Sequence, residues 1–220
     1  MKTRLDEQTI ALRVAREFED GMVINLGYGM PGLCASFIPE GRTIHFHSEN
    51  GVLGYGGLGT DEGKDYELIN ASDQPVTRMS GMCFFDSAAS FDMIRGGHVD
   101  LVVLGAYQVS QKGDLANWGR PGRPATGMGG GMDLAAGCRQ VIVMMLHTTK
   151  EGAPRIVHQC SFPLTAKNCV HKVFTDVAVI DVTKRGLVLR EVAPGWTAEE
   201  VQALTEAPLI VAEDLKEIAL

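Results

Sequence analysis

The residues of this chain best suited to chemistry form the run Thr43-Ile44-His45-Phe46-His47-Ser48-Glu49-Asn50-Gly51. Its β-branched and aromatic first half predicts a strand, and that strand ends on a carboxylate followed by Asn-Gly. A glycine-crowded loop with Gly51, Gly54, Gly56, Gly57 and Gly59 follows, which leaves Glu49 without bulky neighbours. Ligands of open α/β sheets gather outside the carboxyl ends of the strands, so Glu49 is placed to act as a nucleophile. A solvated glutamate after a turn satisfies the same residues, and the rest of the chain has to decide. Gly27-x-Gly29-x-x-Gly32 follows an apolar strand and formally matches the dinucleotide fingerprint, with Glu49 in the position of a ribose-binding acid. Gly129-Gly130-Gly131-Met132-Asp133 precedes a helix. Bare backbone N–H groups there would favour a phosphate or the oxyanion of an acyl transfer; a tight packing loop is the alternative. His45 and His47 share a strand face but have no third ligand nearby, so no metal is expected. Ser48 lacks a nucleophile elbow, and Leu58–Lys64 departs from the P-loop pattern at both ends.

The elements that must hold these residues alternate between the two periodicities. Residues 4–20 carry Leu5, Ile10, Ala11, Val14 and Phe18 on one helical stripe, ended by Asp20-Gly21. Met22–Leu26 reads as a strand, Leu33–Ile38 as a helical turn or two before Pro39, and the run to Glu49 as the next strand, making a right-handed β-α-β unit. Asp86 caps a helix over residues 87–95. The wholly apolar Leu101–Leu104 predicts a central strand covered on both faces. Residues 113–132 read as a long Gly/Pro-rich loop, the kind that carries function. Asp133–Gly137 predicts a short helix, Val141–Leu146 a buried strand, and Arg155–Gln159 another. Asp176–Val182 and Leu187–Val192 predict a hairpin, Thr197 with Glu200 a capping box, and Pro208–Ala212 a last short strand. The sum is an α/β fold: a single domain over residues 1–220 with a three-layer α/β/α, open, mixed and mainly parallel sheet.

Composition narrows the field. Of 220 residues 45% are apolar and 21% charged, a globular balance, and the net charge of −7 without a basic cluster argues against nucleic acid and anionic membranes. No window has the length of a membrane span, and the charged N-terminus does not read as a signal sequence. The five cysteines show no CxxC pair, so neither a disulfide framework nor a zinc site is expected and the chain reads as cytoplasmic.

Five motifs together carry a specific resemblance: Ser48-Glu49-Asn50-Gly51; Asn25-Leu26-Gly27 with Gly29-Met30-Pro31; Ile94-Arg95-Gly96-Gly97-His98; Asp114-Leu115-Ala116-Asn117-Trp118; and Gly127-Met128-Gly129-Gly130-Gly131-Met132-Asp133. Covering most of the chain in order, they are similar to the B (β) subunit of class I CoA-transferases, nearest the 3-oxoacid and 3-oxoadipate types. The resemblance implies that Glu49 carries CoA as a glutamyl thioester and that Asn25 and the Gly130 backbone N–H hold the oxyanion. It further implies substrate contacts around Asn50, Gly51, Gly27, Gly29 and Gly131. Arg120 and Arg123 are candidates to meet a CoA phosphate or a substrate carboxylate; solvated loop cations are the alternative. CoA is then substrate and covalent intermediate, with no metal or redox cofactor. The implied partner is a homologous A (α) subunit in an α2β2 assembly, and the chain has the length of one half. Gly131 stands where alanine is usual, Tyr28 where Ile or Val is common and Gly32 where Thr is common, departures that bear on substrate preference. The nearest acids are succinyl-CoA with acetoacetate or 3-oxoadipate. Acetate or butyrate donors, a dinucleotide-dependent oxidoreductase using residues 27–32, and a non-catalytic sensor of an anionic ligand are the alternatives.

Overall fold

A computed structural model describes residues 2–59, 65–122, 127 and 129–219. Its elements run α1 (Glu7–Ala15), β1 (Val23–Leu26), a 3₁₀ segment (Met30–Ser36), β2 (His45–Ser48), β3 (Val52–Tyr55), β4 (Cys83–Phe84) and α2 (Ser87–Arg95). They continue with β5 (Leu101–Leu104), β6 (Gln108–Ser110), β7 (Leu115–Ala116), α3 (Gly131–Gly137), β8 (Gln140–Met144), β9 (Ile156–Val157) and β10 (Lys172–Phe174). Last come β11 (Ala178–Thr183), β12 (Gly186–Val192), α4 (Ala198–Ala203) and β13 (Leu209–Glu217). One ten-stranded sheet has the order β13-β12-β11-β10-β8-β5-β1-β2-β3-β4, and β7-β6-β9 form a second, small sheet. The centre, β10-β8-β5-β1-β2, is parallel; β2-β3-β4 and β10-β11-β12 add antiparallel margins, and β13 pairs parallel to β12.

Alternation along the central strands builds two cores, because successive side chains point to opposite faces. From β5, Leu101 and Val103 join α1 and the 3₁₀ segment through Ile10, Val14 and Cys34. Val102 and Leu104 join α2, α3 and α4 through Ile94, Leu134 and Val201. In β8 the same split sends Val141 and Val143 one way and Ile142 and Met144 the other. This is the three-layer α/β/α, mixed and mainly parallel sheet that the sequence predicts.

Several boundaries differ from expectation, each for a local reason. Helix α1 starts at the Asp6 cap, whose carboxylate accepts from Thr9 N at 2.8 Å. It stops at Ala15, where Glu17 N and Phe18 N turn back to Val14 O and Ala15 O instead of extending the helix to residue 20. The segment after Gly29 is 3₁₀ rather than α-helix. The stretch after Glu49, expected as loop, contains β3, whose residues pair antiparallel with β2 despite Gly54 at φ 78°. The long 113–132 segment contains β7, and the last strand runs nine residues where a short one was expected.

Candidate active site

Glu49 stands at the turn between β2 and β3, on the C-terminal side of the parallel centre. Gly51 N closes that turn on Ser48 O at 3.0 Å, and Phe85 N in turn donates to Gly51 O at 3.0 Å. Gly51 has φ 111°, and a Cβ there would collide with the Phe85 carbonyl oxygen, so only glycine lets the chain reverse at this point. The residues bracketing Glu49 face the other way. Ser48 Oγ accepts from Ala71 N at 2.7 Å, and Asn50 Nδ2 donates to Ile69 O at 2.8 Å, so both hold the 69–71 segment.

Parallel pairing of β1 with β2 sets Asn25 opposite His47. The fully buried Asn25 amide nitrogen lies 3.1 Å from Glu49 Oε2, 3.2 Å from His47 Nδ1 and 3.2 Å from His47 O. Three acceptors around one nitrogen fix the orientation of the amide, since flipping it would turn an oxygen towards all three. Its own Oδ1 is buried with no hydrogen-bond partner. An orphaned acceptor of this kind costs about 1–3 kcal/mol, so the amide is held for what its donor side does.

The chain of bonds behind it runs out to α2. His47 Nε2 lies 3.0 Å from Ser90 Oγ, which is 3.3 Å from Ser48 O. A hydroxyl donating to that carbonyl accepts from His47 Nε2–H, which leaves Nδ1 as the acceptor facing Asn25. Burial pushes the His47 pKa down to about 4, with the Ser90 bond acting the other way, so the ring is neutral at pH 7 as this pattern requires. Phe85 stacks on it at 6.1 Å. His47 is therefore a buried strut, and among the described residues no group of His, Cys, Asp and Glu could hold a metal ion.

On the other side of Glu49 lies Gly130, the residue before α3. A Cβ on it would sit 3.1 Å from Glu49 Cγ and Oε1 and 3.3 Å from Phe91 Cζ, so a bare backbone is what lets the loop meet the carboxylate. The Glu49 charge is felt nearby. Burial first and that charge second push the Cys138 thiol up to about 12 and the Tyr55 hydroxyl above its ordinary range.

A cavity of about 800 Å³ opens in front of Glu49. Its walls include Leu26, Gly27 and Tyr28 at the end of β1, Leu104–Tyr107 at the end of β5, Met144–Leu146 at the end of β8, the loop at Ala71–Ser72, and Gly129–Gly131. Asn117 and Trp118, just after β7, and Arg155, just before β9, flank the small sheet. Of the residues singled out from sequence, Glu49, Gly27, Gly130 and Gly131 line this space, and Asn25 touches Glu49. Asn50, Gly51 and Gly29 shape the surrounding backbone and do not line it; Gly29, at φ 82°, turns the chain into the 3₁₀ segment. Arg120 is exposed and stacks on Tyr107 with its guanidinium carbon 4.6 Å from the ring centroid, while Arg123 lies outside the described residues. Ser90, Tyr107 and Arg155 carried no sequence signal. The dinucleotide alternative loses its physical basis, because a 3₁₀ segment follows Gly29 where that motif needs an α-helix N-terminus, and Glu49 is bonded to Asn25.

The coenzyme A transferase family model matches residues 7–204. The chain is 48% identical over 209 residues to the human mitochondrial succinyl-CoA:3-ketoacid coenzyme A transferase 2, covering 94% of this chain but only 40% of that longer protein. It is 45% identical to the B subunit of a probable succinyl-CoA:3-ketoacid coenzyme A transferase of Bacillus subtilis, over 92% of this chain and 94% of the relative. It is 47% identical to the B subunit of the 3-oxoadipate CoA-transferase of Pseudomonas putida, over 94% and 97%. Among solved structures, an acyl-CoA transferase of Escherichia coli O157:H7 superposes with a TM-score of 0.75 at 20% identity, covering 98% of this chain and 44% of that one. The AibA/AibB decarboxylase gives 0.69 at 20% identity, covering 97% and 88%. These two share the fold. With the family model spanning almost the whole chain and full-length relatives above 40% identity, this chain belongs to the coenzyme A transferase family.

Proposed function

We propose that the chain is the B subunit of a CoA-transferase that moves CoA from an acyl-CoA, preferentially succinyl-CoA, to a short 3-oxo acid such as acetoacetate or 3-oxoadipate. Its partner in this reading is a homologous A subunit, in an α2β2 assembly. One observation carries the reading: the Glu49 carboxylate faces a cavity with an oriented amide donor 3.1 Å from one of its oxygens and a bare glycine backbone against the other. Relatives named as B subunits, and the family itself, support it.

The chemistry follows from that arrangement. Glu49 attacks the thioester carbonyl of the donor, the C–S bond breaks, and CoA leaves as thiolate, giving a mixed anhydride. The thiolate then adds to the Glu49 carbonyl carbon and expels the donor carboxylate, leaving CoA on Glu49 as a thioester. The incoming acid reverses both steps, so no net proton or electron is consumed. In the second step negative charge develops on the oxygen of Glu49 itself. Asn25 already donates to that atom, so its bond strengthens as the tetrahedral adduct forms. Gly130 has no side chain to block that adduct. Apolar walls from Leu104, Met144 and Met145 keep water from the anhydride.

The test uses the chain assembled with its A partner, succinyl-CoA and no acceptor. Intact mass should show a CoA adduct on the wild type, mapped by peptide analysis to Glu49 and missing from Glu49→Gln. An adduct that persists in Glu49→Gln would sink the assignment.

A further inference from the structure

The cavity contains one charge that transfer at Glu49 leaves unused. Arg155 precedes β9 and is locked in place by its backbone, with its N–H donating to His147 O at 3.1 Å and its carbonyl accepting from Val109 N at 2.9 Å. It is half-buried and lines the same cavity as Glu49. Among the described residues its guanidinium makes no hydrogen bond and no ion pair. Arg13, also half-buried, shows the usual solution: it is clamped by Glu191 at 2.8 and 2.9 Å and by Glu17 at 2.7 Å. The surroundings of Arg155 oppose its charge. Burial first, and the Arg120 cation second, draw its pKa below the ordinary guanidinium value, with Asp176, Tyr107 and Glu151 acting the other way. Asp176 is already engaged by Arg4 at 2.8 Å and by His147 N at 2.7 Å. Arg120, outside the cavity, stacks on Tyr107, itself one of its walls, and adds a second positive charge to the surroundings of Arg155. A desolvated cation without a counter-charge is unfavourable unless a ligand supplies one.

We propose that Arg155, assisted by Arg120, is a subsite for the second carboxylate of a dicarboxylic acyl group whose thioester end reacts at Glu49. The inference rests on the reading of Glu49 as acyl acceptor and names the residue that recognises the far end of its donor. A guanidinium fork matches a carboxylate bidentately. The apolar lining from Leu104, Met144, Met145 and Leu146 suits the short methylene chain of a molecule with an anion at its far end.

The test compares succinyl-CoA with butyryl-CoA, which have the same chain length and differ in the terminal carboxylate, on the assembled enzyme with a fixed acceptor. Wild type, Arg155→Gln and Arg155→Lys are measured. The wild type should favour succinyl-CoA. Arg155→Gln should lose about 10- to 100-fold in kcat/KM for succinyl-CoA, mostly in KM, while butyryl-CoA changes less than about threefold. Arg155→Lys should recover part of the loss. Equal losses on both donors, or none, overturn the subsite, and so does a wild type that favours butyryl-CoA, a result that needs no variant to fold. A phosphate of CoA could also seek this cation, so the pair is repeated with succinyl- and butyryl-pantetheine, which lack phosphates. Persistence of the discrimination supports the acyl carboxylate; its disappearance overturns the proposal. The Glu49 adduct separates the two levels. If it forms equally fast from succinyl-CoA in wild type and Arg155→Gln, only the subsite fails; if it never forms from any donor, the transferase reading fails.

Discussion

Two neighbouring glycines, substituted one at a time, test whether the contact between the loop and the carboxylate governs the reaction. A methyl at residue 130 would lie 3.1 Å from Glu49 Cγ and Oε1 and 3.3 Å from Phe91 Cζ, whereas one at residue 131 would meet Asn117 Oδ1 at 3.7 Å and Thr165 Cγ2 at 3.8 Å. Carbon contacts settle at about 3.5–4.0 Å, so Gly130→Ala must displace something by a few tenths of an ångström and Gly131→Ala need displace nothing. Phe91 is packed against the core under α3, so the Glu49 side chain is the part that yields. Its movement stretches the 3.1 Å bond from Asn25, a charge-assisted bond worth about 1.5–3 kcal/mol. Added to the sensitivity of covalent chemistry to misplacement, Gly130→Ala should lower kcat about 100-fold while the protein stays folded. Gly131→Ala should keep kcat within about threefold and raise stability by up to about 1 kcal/mol, since alanine is the better helix former in α3. Steady-state rates on the assembled enzyme, the rate of adduct formation and thermal melting of both variants decide it. A fully active Gly130→Ala, or an equal loss in Gly131→Ala, would refute the packing argument.

Two further outcomes follow from the bonds behind Glu49. In the proposed mechanism Asn25→Ala removes the donor to the adduct oxygen and should lower kcat by about 10²–10³-fold with little change in KM; stopped-flow accumulation of the glutamyl thioester checks it, and an unchanged rate would mean that the amide only packs. His47 and the buried His147 both have pKa values pushed down by burial from 6.5 to about 4. The native state therefore refuses protons that the unfolded state accepts between those values, so stability is full above pH 6.5 and falls as pH drops towards 4. Each ring should account for about 2 kcal/mol of the loss between pH 7 and pH 5. Urea unfolding of His47→Gln should show a loss smaller by that amount, and an identical slope would show that His47 is not the group titrating.

Much of this was legible in one dimension. Asp86 before an apolar-periodic run announced α2, four apolar residues announced β5, and Thr197 with Glu200 announced the cap of α4, which forms as a full capping box. These signals are local, so sequence carries them whole. Strand β3 was hidden because Gly54 reads as loop, and only pairing with β2 across the Glu49 turn makes it a strand. Strand β10 is three residues long, too short for any period to show, yet it bridges β8 and β11 in the middle of the sheet. At the site, Asn25, Glu49 and Gly130 could be named singly. The support from Ser90 to His47 joins residues 43 apart and left no pattern along the chain. Arg155 was invisible for a different reason: its interest lies in the lack of a side-chain hydrogen bond or ion pair among the described residues, which only three-dimensional surroundings reveal.

Ser48 and Asn50, on either side of Glu49, tie its turn to a second segment of the chain. Because both flanking side chains clamp the same stretch, Ile69 to Ala71, Glu49 and one wall of the cavity in front of it are a single riveted part. Exchanging either flanking side chain would therefore shift the Ala71–Ser72 wall and the Glu49 carboxylate together.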